Sequence, residues 1–292
     1  EFSNIFFEKN ELDIEKLENF RNEISTKAEI LNDQNYISRS KSKFSNMVNS
    51  LKLVNLYHKL SVKVDLNILR KISESNVGNN FCPIYRNQRI SHRILRYAYY
   101  SSSIKNSTNL EKNEKNIFLD IGGGYGGLSR TLKYIYKNST FIIIELPELC
   151  LLASFFLKKC FKNSKIATTS SFKGKKIIKK SELINYDFVV LTQEFIEKIE
   201  SDTADISINT TSLGEMTDST QDFYIKSIER VTKSYFYSVN RPKKRVKKYN
   251  SRGYYQFNFE NRWDCILYNF THTYHIEFLG KKNRGKKKKN IL

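Results

Sequence analysis

Residues 117–130 read IFLDIGGGYGGLSR. An apolar run ends in Asp120, glycines stand at every second position (Gly122, Gly124, Gly126), and Leu128, Leu132 and Ile135 follow at helical spacing. The pattern predicts a buried strand, a tight turn and a helix whose first amides are unpaired. Glycine at such a turn lets the backbone approach a ligand more closely than a Cβ allows. Free amides at a helix N-terminus favour anionic groups. A second run, FIIIE at 141–145, ends in Glu145, nineteen residues past Gly126. A carboxylate there is placed to accept both hydroxyls of a ribose.

From residue 116 onward the chain alternates strand and helix, the pattern of a doubly wound α/β fold. Pro147 opens a helix whose buried face is Leu149, Leu152, Ala153, Phe156 and Leu157. Residues 162–181 are basic and poorly patterned, expected as a surface excursion with a short strand. DFVVLT (187–192), ADISINTT (204–211) and SYFYSVN (234–240) read as further strands. Asp218 and Gln221 are expected as a capping box for a helix through Val231. Trp263 to Phe270 and Tyr274 to Leu279 read as an antiparallel pair closing the sheet. Ahead of it, Leu12, Leu17, Phe20, Ile24, Ala28 and Leu31, then Phe44, Met47, Val48 and Leu51, and then RISHRILRYAYY (89–100), predict helices, with a break at GNNFCP (78–83). The expected organisation is a helical region over 1–110, an α/β domain over 111–280 and a basic, disordered tail over 281–292.

The glycines also satisfy GxGxxG through Gly122, Gly124 and Gly127, so they alone do not separate two cofactor classes. Asp120 does, because a carboxylate before the first glycine repels a pyrophosphate and suits an ammonium. DxGxGxG resembles motif I of the class I S-adenosylmethionine (SAM) methyltransferases, in which the acid orders the loop and helps hold the methionine amino group. The likeness goes further. HRILRYAYY, LDIGGGYGGLSR, IIIELPE, DFVVLT, INTTSLGEM, DFYIKSIERV and SVNR together resemble the sugar O-methyltransferase family of bacterial surface-polysaccharide loci, over about Gly78 to Leu279. The resemblance implies a Rossmann-like sheet with helices on both faces and an N-terminal helical cap, SAM as cofactor, and methyl transfer to a sugar hydroxyl. The expected cofactor contacts are Asp120, Gly122, Gly124, Tyr125, Gly126, Glu145, Leu146, Thr192, Gln193, Asn209 and Thr210. Aromatic and arginine side chains suit a sugar ring, and the candidates are Arg96, Tyr99, Tyr100, Arg241 and Trp263. A lysine-rich run at 243–248 and the basic tail depart from the family's usual look.

A hydroxyl must lose its proton as the carbon bond forms, so a positioned base helps. The end of the fourth strand reads Asn209, Thr210, Thr211, Ser212 and then Glu215, which makes Glu215 the first candidate; a supporting role at the next helix N-terminus is the alternative. His272 is a second candidate base. The HTYH spacing of His272 and His275 suggests a metal only if a tight turn brings them together, because strand positions three apart face opposite ways. No metal is expected.

The 50 Lys and Arg against 30 Asp and Glu give a net charge of +20. Fourteen of the positive residues fall at Arg241, Lys243, Lys244, Arg245, Lys247, Lys248 and Arg252 and in the tail at Lys281, Lys282, Arg284 and Lys286 to Lys289. An AT-rich coding bias accounts for abundant Lys, Asn, Ile, Phe and Tyr without a partner; contact with a polyanion or an anionic membrane face is the functional reading. The expected acceptor is a sugar carried on a nucleotide, a lipid or a polymer. RNA methylation is the rival enzymatic reading, disfavoured because NTTS replaces the base-stacking NPPY-like tetrapeptide and no Pro-Cys nucleophile is present. A scaffold with a vestigial cofactor fold is the non-enzymatic rival, opposed by the intact acids and glycines. No apolar run approaches the roughly 20 residues that span a bilayer, so the chain is expected in the cytoplasm, with the inner membrane face as the place for any peripheral contact. It begins at Glu1 without Met, and an excised piece of a longer chain is the expectation. Cys82, Cys150, Cys160 and Cys265 lack CxxC spacing and are expected as reduced thiols, mostly buried.

Overall fold

Strands form where Ile, Val, Phe and Tyr are densest. The computed structural model describes residues 7–8, 11–21, 43–79, 82–242, 253, 254, 257, 262–271 and 274–283. The main sheet contains β1 (Ile117–Ile121), β2 (Thr140–Glu145), β3 (Ile166–Thr168), β4 (Phe188–Thr192), β5 (Ala204–Thr210), β6 (Thr232–Asn240), β7 (Trp263–Phe270) and β8 (Ile276–Lys282). Their order is β7-β8-β6-β5-β1-β2-β4-β3. All neighbours from β3 to β6 pair in parallel, while β8 runs antiparallel to both β6 and β7. This is a Rossmann-like mixed sheet.

The chain divides into two units. The first comprises residues 1–106, 124–137 and 147–164; the second comprises 107–123, 138–146 and 165–292 and holds the sheet. In the second unit, one face of the sheet carries Leu119, Ile121, Ile142, Ile144, Val189, Leu191 and Phe236. They form one core with Tyr224, Ile225, Ile228 and Val231 of α8 (Asp218–Val231). The opposite face carries Phe118, Phe141, Ile143, Phe188, Val190, Ile206 and Ile208, all fully buried. Phe118 and Phe141 stack there at 4.7 Å. Burial on both faces explains why these strands read as continuous apolar runs rather than alternating ones. The basic excursion contains the short edge strand β3 and α7 (Lys180–Leu183), as its weak pattern suggested.

The first unit contains α1 (Ile14–Glu18), α2 (Lys43–Ser61), α3 (Leu66–Lys71), α4 (His92–Ser107), α5 (Gly127–Ile135) and α6 (Pro147–Cys160); the last residue of α4 falls in the second unit. Phe20, Tyr57, Leu60, Tyr100, Leu132, Tyr136 and Phe156 are at most 2% exposed. A side chain so buried contributes about 1.5–3 kcal/mol. Gly78 takes a left-handed turn, and a Cβ there would lie 2.5 Å from the Phe20 ring. The predicted break is thus a close-packing point. Arg21 and Glu74 form a buried ion pair at 2.8 Å. The second Glu74 oxygen accepts from Ser91 Oγ at 2.6 Å.

Four expectations shift. α2 forms where Phe44, Met47 and Leu51 predicted it, yet those residues are 70%, 53% and 61% exposed while Leu53, Tyr57 and Leu60 face the core. Its packing face is set by the bulkier C-terminal half. Thr217, not Asp218, caps α8, its side chain accepting from Thr220 N. Gln221 is instead fully buried and donates to Leu213 O at 2.8 Å. Lys281 and Lys282, expected in the tail, pair within β8, and Lys282 Nζ donates to Asp202 and to Thr232 O. Of the cysteines only Cys82 is buried, which pushes its thiol up to about 12; Cys150 and Cys160 are half-buried and Cys265 is exposed. Among the described residues no helix is long and apolar enough to cross a membrane. Residues 22–42 and 284–292, and the lysine run at 243–248, lie outside the described residues.

Burial alone would raise the Glu74 carboxyl, but the Arg21 guanidinium and the Ser91 hydroxyl bring it below its ordinary 4.5. A depressed carboxyl stabilises the fold at every pH above its unfolded value, and that contribution is lost as pH falls through the folded one. Melting curves of the parent and Glu74→Gln should therefore differ by a constant gap above about pH 4.5 that closes on further acidification. A gap unchanged down to pH 2 would contradict the pairing.

Candidate functional site

The strand order reverses at β1. The chain builds β2, β3 and β4 on one side, then returns to place β5 on the other. In open α/β sheets the carboxyl ends of the two strands at such a reversal border the ligand crevice. The residues that lie there come from four strand ends: Asp120 to Gly123, Glu145 and Leu146, Thr192 to Glu194, and Asn209 to Ser212.

Asp120 is 2% exposed and sits in register with Ile143 on β2 and Ile208 on β5. Its carboxylate lies directly under the loop: a Cβ on Gly123 would stand 2.8 Å from Asp120 Oδ2. Gly122 is left-handed at φ +68°, and a Cβ there would stand 2.1 Å from Ser212 Oγ. Gly124 and Gly126 are left-handed as well, and Gly126 caps α5. The three alternating glycines of the sequence are thus the three positive-φ positions of the loop. The requirement for glycine comes partly from the protein's own side chains.

Ser212 is held in place by Asn209. Asn209 Nδ2 donates to Ile121 O at 2.9 Å and to Ser212 Oγ at 2.6 Å, while its Oδ1 accepts from Asn240 Nδ2 at 2.9 Å and from Leu213 N at 3.4 Å. Ser212 Oγ donates to the same Ile121 carbonyl at 3.2 Å. Asn209, expected at the cofactor, is fully buried with its amide spent inside the protein. Thr210 is half-buried, and Thr211 beside it is left-handed at φ +63°. That conformation is strained for a β-branched residue, and such strain gathers at functional sites.

Glu145 is half-buried and stands opposite Thr192 in the β2–β4 register, with Oε2 accepting from Leu146 N at 2.9 Å. Leu146 and Gln193 are exposed. Thr192 is buried, its Oγ1 donating to Glu194 Oε1 at 2.5 Å and its N donating to Thr169 Oγ1 at 3.3 Å. Glu215 is exposed in a single 3-10 turn, Leu213–Glu215, its N donating to Ser212 O at 3.0 Å. His272 lies outside the described residues.

The remaining expected residues each lie within one unit. Tyr125 belongs to the first unit, where it is 6% exposed and meets Phe156 edge-on at 4.8 Å. Tyr99 and Tyr100 are also buried there, whereas Arg96 and Tyr97 of α4 are half-buried. Arg241 follows β6 in the second unit, its carbonyl accepting from Tyr254 N at 2.9 Å. Trp263 packs against Phe236 at 5.5 Å, half-buried. Sequence reading placed Ser212 at the strand edge without a role and missed Asn240, Thr169 and Glu194. The contact between Ser212 and Gly122 joins positions ninety residues apart, and no local pattern announces it.

No known family profile matches the chain, and no curated protein matches it. Among solved structures it is similar to magnesium protoporphyrin IX methyltransferase from Synechocystis PCC 6803 with bound SAM, at 10% identity and TM-score 0.46 over 90% of this chain and 95% of that one. It is similar to a geranyl diphosphate methyltransferase in complex with SAM, at 11% identity and TM-score 0.47 over 66% and 87%. A third is a SAM-dependent methyltransferase from Aquifex aeolicus, at 12% identity and TM-score 0.42 over 63% and 89%.

Gly122→Ala should destabilise the protein by about 1–3 kcal/mol, the cost of a strained left-handed residue, plus whatever the displaced Ser212 adds. Ser212→Gly in the same chain should recover the steric part and leave the conformational part. Urea titration of the two variants measures both; an undisturbed Gly122→Ala variant would disprove the packing of Ser212 on the loop.

Proposed function

We propose that this chain is a SAM-dependent methyltransferase acting on a hydroxyl, with a sugar as the acceptor class. The observation that carries the reading is the Asp120 carboxylate held under a left-handed glycine loop at the strand-order reversal. A buried acid there suits a ligand that brings a cation and opposes one that brings a pyrophosphate. Glu145, at the end of the next strand, is the group for the ribose hydroxyls. Loop and acids fit SAM, which when bound supplies an electrophilic methyl carbon.

The chain's own task is to orient a hydroxyl and take its proton. Glu215 is our candidate for the proton acceptor, because it is a carboxylate close after the strained end of β5. Its exposure means that any rise in basicity has to come from the bound acceptor excluding water. His272 is the second candidate. For the acceptor, Arg241 and Trp263 in the second unit are the candidate contacts. The sugar reading rests on the sequence resemblance. Nucleotide-linked, lipid-linked and polymeric sugars are the forms to test, and the basic segments are the proposed contact for an anionic carrier or membrane face.

Calorimetry should give saturable binding of S-adenosylhomocysteine and none of NAD, and labelled-methyl transfer across nucleotide-sugar and glycan panels should identify the acceptor. The reverse pattern, NAD bound and S-adenosylhomocysteine not, would overturn the assignment. Glu145→Ala should weaken S-adenosylhomocysteine by about 1–3 kcal/mol, the cost of leaving buried hydroxyls unpaired, with the melting temperature unchanged. Glu215→Gln should lower turnover by roughly a hundredfold or more while the cofactor dissociation constant stays put. A well-folded variant with parental turnover would remove Glu215 from the mechanism.

A further inference from the structure

Tyr125 is the side chain within the glycine loop, flanked by left-handed Gly124 and Gly126. Its ring is held by the N-terminal segment together with Arg93 of α4, whose guanidinium lies 5.3 Å from the centroid, and Phe156 of α6. The Arg21 guanidinium lies 4.8 Å above the ring centroid, Phe20 packs against it at 5.6 Å, and Phe156 meets it edge-on at 4.8 Å. Arg21 also lies over Phe156, at 5.0 Å.

Arg21 is itself fixed from several directions. It pairs with the buried Glu74 at 2.8 Å, its N donates to Gly78 O at 3.0 Å, and Phe20 beside it is fully buried against Gly78. Glu74 is fixed in turn by Ser75 N at 3.0 Å and Ser91 Oγ at 2.6 Å. A buried pair of this kind is weak evidence for net stability, but it defines one geometry, because either charge left alone is strongly penalised.

We infer that Arg21 is a positioning residue: held by Glu74, it clamps Tyr125 and so fixes the backbone of Gly124 to Gly127, making the N-terminal segment part of the cofactor loop's scaffold. A cation over a desolvated aromatic face constrains both partners. The ring cannot leave without uncovering Arg21, and the two glycines beside it have little conformational preference of their own. The consequence for cofactor affinity rests on the SAM reading above; the consequence for the loop does not.

Variants of the full chain test this. Arg21→Met with Glu74→Gln removes both charges, so neither is left buried alone. Arg21→Lys keeps the charge but loses the planar group over the ring. Glu18→Ala breaks the exposed pair with Lys159 in the same segment, at 3.2 Å, and serves as the control. Amide hydrogen exchange without ligand should quicken about tenfold at residues 124–127 in the first variant, less in the second and not in the third, the scale expected from one buried cation–π contact. The S-adenosylhomocysteine dissociation constant should rise in the same order. Tyr125→Leu should give the same loosening, and adding it to the first variant should give nothing further, which a general loss of stability would not produce. Loop exchange that rises no more than exchange across α4 overturns the inference, and Arg21→Lys decides it if the double variant fails to fold. If the parent binds no S-adenosylhomocysteine, the SAM reading falls while the exchange measurement still judges Arg21.

Discussion

Strand β1 is fastened to β5 at both ends by side chains of β5. Backbone pairing covers only Phe118 to Asp120 against Ile206 to Ile208. Before it, Ile117 N donates to Asp205 Oδ2 at 2.9 Å; after it, Asn209 Nδ2 donates to Ile121 O at the same distance. These two side chains satisfy the β1 groups that the parting backbones would leave unpaired, and a buried unpaired peptide group is costly. The parting is useful. It opens the carboxyl edge where the order reverses while the strands stay registered, so Asp120 stands at a defined height below the glycine loop.

The loop is then shaped by groups brought from a distance. Ser212, held by Asn209, fills the space that a side chain on Gly122 would need, and Asp120 does the same for Gly123. Further along, a Cβ on Gly127 would come within 2.6 Å of both Tyr125 and Tyr97. Glycine therefore answers two demands at once, a left-handed backbone and the absence of any Cβ beside well-fixed neighbours.

Charge is distributed differently from what its total suggests. In the basic excursion Lys173, Lys175, Lys176 and Lys179 are exposed, and Lys175 pairs with Glu182. Such exposed pairs contribute little to stability. The charges that fix geometry are few and buried: Asp120 under its loop, Asp205 at the start of β1, and Arg21 with Glu74 in the helical unit. Net charge is thus a guide to the surface of this protein rather than to its site.

The sequence by itself determined the sheet strands, the glycine loop and the two strand-end acids. Each of these rests on local pattern: continuous apolar runs for strands buried on both faces, and alternating glycines where φ turns positive. It also identified the helices α2 and α8, but misjudged the buried face of the first and the cap of the second by one residue. Helical periodicity marks a stripe, not the neighbour that will cover it, and Thr217 and Asp218 are both capable caps. Tertiary structure alone decided that Asn209 bonds to Ile121, Ser212 and Asn240, and that Tyr125 and Tyr100 are buried. It also paired Arg21 with Glu74 across fifty-three residues. The physical reason is common to all of these: a side chain's role depends on which distant groups its burial brings within hydrogen-bonding or van der Waals reach, and no local window contains that information.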